Sequence, residues 1–153
     1  RLDNAGQDLS GVLEPFSGPF AGTAILLYTQ REGLELVKAF LGDEIPADQL
    51  SELEGEALCE IGNIILNACL GAMGEFLEQE FFTEVPFLRT GTCLQLLTNG
   101  GVTPVSREVL YLRMSFALRD LDLHGHMGFT LDLASASTLA KCLDAYATNV
   151  LGV

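Results

Sequence analysis

The amino-acid sequence predicts an α+β fold in which a largely antiparallel β-sheet carries long helices on one face. Apolar residues recur at helical spacing in three segments, residues 30–41, 52–78 and 139–146. They alternate with polar residues in two further segments, 110–118 and 123–133, which a short turn separates. Two alternating segments joined by a short turn are typical of an antiparallel hairpin with one wetter face. The helices are expected to cover one face of the resulting sheet.

Length and charge exclude several functions. The chain has 153 residues, which predicts one domain over residues 1–153 because domains are most often about 100–150 residues long. Lys and Arg number 8 and Asp and Glu 21, so the formal net charge is −13. Such a chain offers no basic surface to nucleic acid and is repelled by anionic lipid.

Targeting signals are not evident in the sequence. No uninterrupted apolar run approaches the roughly 18 residues of a membrane span, and the chain does not open with a secretory pattern. We therefore expect a cytoplasmic protein that does not enter a membrane. The chain begins with Arg1 instead of Met, so we expect it to be a fragment of a longer chain.

The first third of the chain contains one clear strand and one clear helix. Residues 1–17 are rich in Gly, Asp and Asn and predict a loosely ordered start. Residues 20–28 predict a central strand, because the run is apolar on both faces. Thr29 and Glu32 then form the spacing of a capping box, and Gly42 predicts the end of the helix that follows.

The remaining boundaries rest on weaker signals. Ser51 and Glu54 suggest a second capping box, which would begin a long helix extending to about residue 78. Residues 85–97 predict a strand. The last helix should begin after Ser135 or Ser137.

Metal binding is not predicted. The four cysteines do not have the spacing of a zinc site, and we expect them to be small buried hydrophobes in a reducing compartment: Cys59, Cys69, Cys93 and Cys142. His124 and His126 share one face of a predicted strand, but no carboxylate or thiol stands at a supporting spacing.

The long helix carries a narrow polar stripe. With about 100° per residue, Glu60, Asn63 and Asn67 fall within about 40° of Glu56, and apolar residues cover most of the remaining surface. Amides in the middle of a helix do not favour helix formation, because they compete with the backbone for hydrogen bonds. The stripe therefore either meets water or a partner, or satisfies buried polar groups in a seam of the core.

A motif on this helix resembles a known signature. Glu60 and Asn63 are followed, after twenty-two intervening residues, by Pro86, and Gly62 stands between the first two. This pattern resembles that of the CheC/CheX/FliY family of chemotaxis phosphatases. Glu56 stands four residues before Glu60, where the family usually has Asp or Ser.

The resemblance covers residues 18–98, because the Gly-rich segment 18–26 is also similar to the family's approach to a central strand. Members of the CheC type have two such motifs, whereas this chain has one and in that respect resembles CheX. The N-terminal helix of CheX is not evident before residue 18.

The resemblance implies a CheC-like fold and hydrolysis of the aspartyl phosphate on a CheY-type response regulator. Asn63 would position the attacking water, and Glu60 would pair with the regulator's active-site Lys. Glu56 and Asn67 would contact the partner, whereas Gly62 and Pro86 would have structural roles. The chain itself would need no cofactor, because Mg²⁺ would be held by the regulator.

Other functions remain open at this point. A CheD-type deamidase is a possible further partner, and a homodimer is also possible. The domain could instead dock a receiver domain, or a flagellar or deamidase partner, without turnover, or serve as an output or dimerisation domain of a longer regulator.

Overall fold

The computed structural model describes residues 9–42, 47–97, 107–118 and 121–152. These residues form the strands β1–β6 and the helices α1–α4, followed by a short π-helical segment, Ala147–Leu151. In chain order the elements are β1 Leu9–Ser17, β2 Gly22–Tyr28, α1 Gln30–Leu41, α2 Ala47–Leu77, β3 Phe82–Thr83, β4 Phe87–Gly91, α3 Cys93–Leu97, β5 Arg107–Leu118, β6 Leu121–Asp132 and α4 Leu133–Tyr146.

The strands form a single antiparallel sheet. Its order is β1, β2, β6 and β5, and the short strands β3 and β4 both pair with the outer side of β1. The predicted hairpin is confirmed as β5 and β6, which pair along their whole length from Arg107 opposite Asp132 to Leu118 opposite Leu121. The α+β class predicted from periodicity is confirmed.

The main core lies between one face of the sheet and the helices α1, α2 and α4. Its buried residues include Val12 of β1, Leu26 of β2, Leu36 of α1 and Leu66 of α2. A smaller cluster on the opposite face joins Leu13, Ile25 and Leu27 to Leu96 of α3. The long helices therefore share one face as expected, and one short helix that the sequence analysis did not predict covers part of the other.

The best-predicted elements are β2 and α1. Strand β2 lies between β1 and β6 and is buried on both faces, as its apolar run predicted. The capping box of α1 is confirmed: Glu32 N donates to Thr29 Oγ1 at 3.2 Å, and Thr29 N donates to Glu32 Oε2 at 2.8 Å. Gly42 ends the helix with a φ of 86°, which a glycine adopts without strain.

The expectation of a loosely ordered start over residues 1–17 was wrong for residues 9–17. These residues form β1, which pairs with β2 on one side and with β3 and β4 on the other. The pattern was missed because both faces of β1 are buried, so apolar and polar residues do not alternate along it. Residues 1–8 lie outside the described part of the chain.

Three other boundaries were also wrong. Helix α2 begins at Ala47, so Ser51 lies inside it. The strand predicted over 85–97 is instead β4 followed by α3, whose capping pair was overlooked: Thr92 N donates to Gln95 Oε1 at 2.9 Å, and Gln95 N donates to Thr92 Oγ1 at 3.2 Å. Helix α4 begins earlier than predicted, because Asp132 accepts a hydrogen bond of 2.7 Å from Ser135 N and acts as its N-cap.

The burial expected of the cysteines was also wrong. None of the four cysteines forms a disulfide, and all four are half-buried, whereas full burial was expected. Residues 53–77 of α2 are long and apolar enough to cross a membrane by length and composition. That property is weak evidence for a span, because Leu58, Ile61 and Leu66 of the same helix are buried in the main core.

Candidate functional site

Helix α2 is seated on the sheet by a glycine. A Cβ atom built on Gly62 would lie 2.5 Å from Cγ1 of Val12, so a side chain at this position would collide with strand β1. The absence of a side chain lets the helix approach the sheet closely. Gly62 therefore sets the distance between the middle of α2 and the sheet, and with it the position of the neighbouring Asn63.

The polar stripe lies on the outer side of this helix. Glu56, Glu60 and Asn67 are exposed, and Asn63 is half-buried. The helical wheel predicted one common face for these four residues, and the structure places them there. Of the two interpretations left open by the sequence, a seam sealed inside the core does not fit these exposures.

The two amides of the stripe are hydrogen-bonded to each other. Nδ2 of Asn67 donates to Oδ1 of Asn63 at 2.9 Å, across one turn of α2. This bond uses one of the two lone pairs of Oδ1, and it sets which end of the Asn63 amide is oxygen. The second lone pair and both N–H donors of Asn63 remain chemically able to hold a water molecule or an anionic oxygen.

The segment around β3 and β4 lies along one side of the stripe. Thr83 and Asn67 line the same open groove of about 650 Å³, and Leu88 lies beside Gly55. The segment therefore runs opposite in direction to α2. Pro86 directly precedes β4 and is half-buried. Along the segment it falls between these two contacts, and so it lies beside the middle part of α2, which contains Asn63.

Apolar side chains are exposed on both sides of the stripe. Ile64 on α2 is 54% exposed, and Val85 on the opposite side is 84% exposed. Isolated exposed hydrophobes are ordinary on protein surfaces. Here they border a row of carboxylates and amides, so a partner that covers the stripe would also cover them.

Two buried polar groups near the site were missed by the sequence analysis. Glu14 of β1 is fully buried, and neither of its carboxyl oxygens has a hydrogen-bond partner. Burial raises the pKa of Glu14 from 4.5 to about 7. The hydroxyl of Tyr28 is also buried without a partner, and burial first, then the nearby Cys59 and Glu54, raise its pKa. One signal was available for Glu14: it is a single acid within the run from Val12 to Phe16.

Within the described residues, no group of three or more His, Cys, Asp and Glu side chains could hold a metal ion. His126 faces the smaller cluster on the opposite face of the sheet, because it pairs with Leu27 of that cluster.

Comparisons with known proteins place the fold. No family model and no curated protein matches the sequence. Solved structures do match. FliY from Thermotoga maritima superposes with a TM-score of 0.64 at 14% identity, over 95% of this chain and 75% of that one. The chemotaxis protein CheX from Desulfovibrio desulfuricans gives a TM-score of 0.55 at 19% identity, over 83% of each chain.

A third match is a complex. The CheX–CheY–BeF₃–Mg²⁺ structure from Borrelia burgdorferi gives a TM-score of 0.53 at 17% identity, over 80% of this chain and 76% of that one. These likenesses define the class: the chain has the CheC/CheX/FliY-like fold. At these identities the likeness shows the fold alone, so the roles of Glu60, Asn63, Glu56, Asn67 and Pro86 stay predictions.

Proposed function

We propose that this protein is a chemotaxis-type phosphatase that hydrolyses the aspartyl phosphate of a CheY-type receiver domain. The observation that carries the proposal is the accessible pair of Glu60 and Asn63 on α2, with the amide of Asn63 oriented by Asn67. The fold is shared with CheX proteins, and one of the similar structures is a complex of CheX with CheY. Like the receiver domains, this protein would act in the cytoplasm.

In this proposal Asn63 positions the attacking water. An acyl phosphate is already activated, so catalysis needs mainly alignment and electrostatic stabilisation instead of a strong base. The free lone pair of Asn63 Oδ1 accepts a hydrogen bond from the water, and Nδ2 donates to an oxygen of the phosphoryl group. Asn67 prevents the amide from rotating, because rotation would bring two N–H donors together.

Glu60 anchors the partner one turn before Asn63. Its exposed carboxylate would pair with the Lys of the receiver's active site, which is a charge-assisted contact of defined geometry. Mg²⁺ belongs to the receiver in this scheme and neutralises the phosphoryl charge there. Glu56 extends the carboxylate row toward the start of α2 and would contact the rim of the partner.

Recognition must be local, because this chain carries a net charge of −13 and receiver domains are often acidic as well. Long-range steering is then unfavourable. Burial of Ile64 and Val85 against the partner would supply binding energy that does not depend on charge.

The experiment that tests the proposal is the decay of a phosphorylated CheY-type receiver with and without this protein. We expect acceleration by wild type. Glu60→Gln should raise KM at least tenfold, because the charged contact is lost. Glu35→Gln is the matched control, since Glu35 is an exposed acid on α1, whereas the stripe lies on α2. Binding of the receiver without acceleration would instead indicate a docking module. If the protein does not bind the receiver and does not accelerate its decay, the proposal is contradicted.

A further inference from the structure

Glu14 is a buried titratable group that the proposed mechanism does not use. It is 0% exposed, and both of its carboxyl oxygens lack a hydrogen-bond partner. Placing an unpaired carboxyl in a core is costly, and an isolated carboxylate there is costlier still. A buried titratable residue without a partner is therefore energetically unfavourable, and residues of this kind are typical of functional sites.

The position of Glu14 relative to α2 follows from its neighbours along β1. Val12 lies against Gly62, and Phe16 packs against Phe81 with ring centroids 5.9 Å apart. Phe81 in turn lines the groove beside Asn67 and Leu70. Alternate residues of a strand face the same side, so Glu14 lies on the helix-facing side between Val12 and Phe16.

Glu14 therefore lies beneath the part of α2 between Gly62 and Leu70, which contains Asn63 and Asn67. Its partner on β2 is Ala24, a small apolar residue. On its other side, Glu84 N donates to Pro15 O at 2.9 Å, which ties the chain just before Pro86 to the residue after Glu14. The carboxyl is thus enclosed by the motif helix, the sheet and the segment that leads to the motif proline.

The surroundings of Glu14 do not neutralise it. Arg89 pairs with Gly11, and His126 pairs with Leu27, so both side chains belong to the opposite face of the sheet. The other described titratable or charged groups on the elements around it are Tyr28 of β2, Glu78, Glu80 and Glu84 of the segment between α2 and β4, Glu54, Glu56, Cys59, Glu60, Cys69 and Glu75 of α2, Arg31, Glu32, Glu35 and Lys38 of α1, Asp132 of β6, and Lys141, Cys142, Asp144 and Tyr146 of α4. Most of those nearest the stripe are acids.

We propose that Glu14 is a proton-controlled positioning residue of the phosphatase site: as the neutral acid it lets α2 and its stripe receive the phosphoryl anion, and as the carboxylate it opposes this. This inference rests on the proposed function. A negative charge at this depth is poorly screened, repels an incoming phosphoryl dianion and favours hydration of the helix–sheet contact at Gly62. Because burial raises the pKa of Glu14 to about 7, the change falls within the neutral range.

The first test is independent of catalysis. Carbon-13 NMR of the side-chain carboxyls, assigned by comparison with Glu14→Gln, should show one Glu titrating near pH 7 in the protein alone. The protection factors of the Gly62 and Asn63 amides, which correct hydrogen exchange for its intrinsic rise with pH, should fall as this group ionises, and those of Glu14→Gln should stay level. A Glu14 carboxyl that titrates between pH 4 and 5 would overturn the proposal, whatever the protein does to a receiver.

The second test uses the phosphorylated receiver domain, with its own decay subtracted at each pH. We expect kcat/KM of wild type to fall about fivefold or more between pH 6 and 8.5, and that of Glu14→Gln to stay level. Glu84→Gln, which removes an exposed acid of the adjacent segment, should keep the wild-type profile. A Glu14→Gln protein that retains the decline overturns the proposal.

Failure of the Glu14 proposal and failure of the proposed function can be told apart, even if a variant does not fold or no activity is found. Should Glu14→Gln not fold, Glu14→Met offers a second neutral replacement of similar length, and the wild-type NMR titration stands by itself. Absence of acceleration at every pH would contradict the proposed function. The NMR titration and hydrogen exchange would still decide whether ionisation of Glu14 changes the packing of α2 on the sheet.

Discussion

Helices α1 and α2 cover the same face of the sheet but present different surfaces to solvent. Helix α1 exposes charged residues, including Arg31 and Glu35, whose side chains pair at 3.2 Å. Helix α2 exposes carboxylates together with an amide pair and Ile64. The charged surface of α1 is what a solvated helix requires. The mixed surface of α2 is better explained if a partner covers it.

The difference extends to how each helix is positioned. Helix α1 is defined by local hydrogen bonds at its ends, through Thr29, Glu32 and Gly42. Helix α2 is defined by tertiary contacts, above all that of Gly62 with Val12. Changes in the middle of α2 should therefore affect both stability and the site, whereas changes at the ends of α1 should affect stability alone.

The largest expected effect is the difference in stability between substitutions of two glycines of α2. Gly62→Ala should lower the free energy of unfolding by about 2–3 kcal/mol, because the added methyl group collides with Val12. Gly71→Ala, with nothing within 4 Å of the new methyl group, should raise it by up to about 1 kcal/mol. Chemical denaturation of both variants measures the contrast. Equal effects would show that Gly62 does not seat the helix.

The second effect concerns pH. Glu14 binds its proton more tightly in the folded than in the unfolded protein, so the unfolding free energy should fall as pH rises from about 4.5 to about 7 and stay low above that. The difference between the pKa of 4.5 for an unperturbed Glu and the pKa of about 7 in the folded protein corresponds to roughly 3 kcal/mol of unfolding free energy at most. Glu14→Gln should remove this part of the pH dependence. Urea denaturation of both proteins at pH 5 and pH 8 checks it, and identical pH profiles would argue against a buried neutral acid.

The third effect separates the two amides of the stripe. Asn67→Ala should lower kcat about tenfold with little change in KM, because Asn63 loses the bond that orients it but keeps its own groups. Steady-state kinetics on a phosphorylated receiver measures both constants. A change confined to KM would indicate that Asn67 contacts the partner instead, which is the role first predicted for it.

The smallest effect should come from α1. Thr29→Ala removes the hydroxyl that accepts from Glu32 N and should cost about 1 kcal/mol of stability. Phosphatase activity at a temperature where the variant is folded should be unchanged. A loss of activity larger than the loss of folded protein would mean that α1 takes part in the site.

Sequence reasoning succeeded where local signals decide the structure. The wheel of α2 put Glu60 and Asn63 on one face, and the residue pair Thr29 and Glu32 marked the start of α1. It failed for β1, because a strand buried on both faces has no alternation to detect. Glu14 was missed for the same reason, since its significance depends on the strand and on α2 above it. The Asn63–Asn67 bond needed the side-chain geometry.

The central claim is that the amide of Asn63 performs the chemistry on α2. The most direct measurement is single-turnover decay of a phosphorylated CheY-type receiver with saturating wild type and with saturating Asn63→Ala, together with the binding constant of each. The claim predicts that Asn63→Ala binds the receiver, keeps its fold and loses acceleration by at least a hundredfold. Acceleration by Asn63→Ala within threefold of wild type would contradict it.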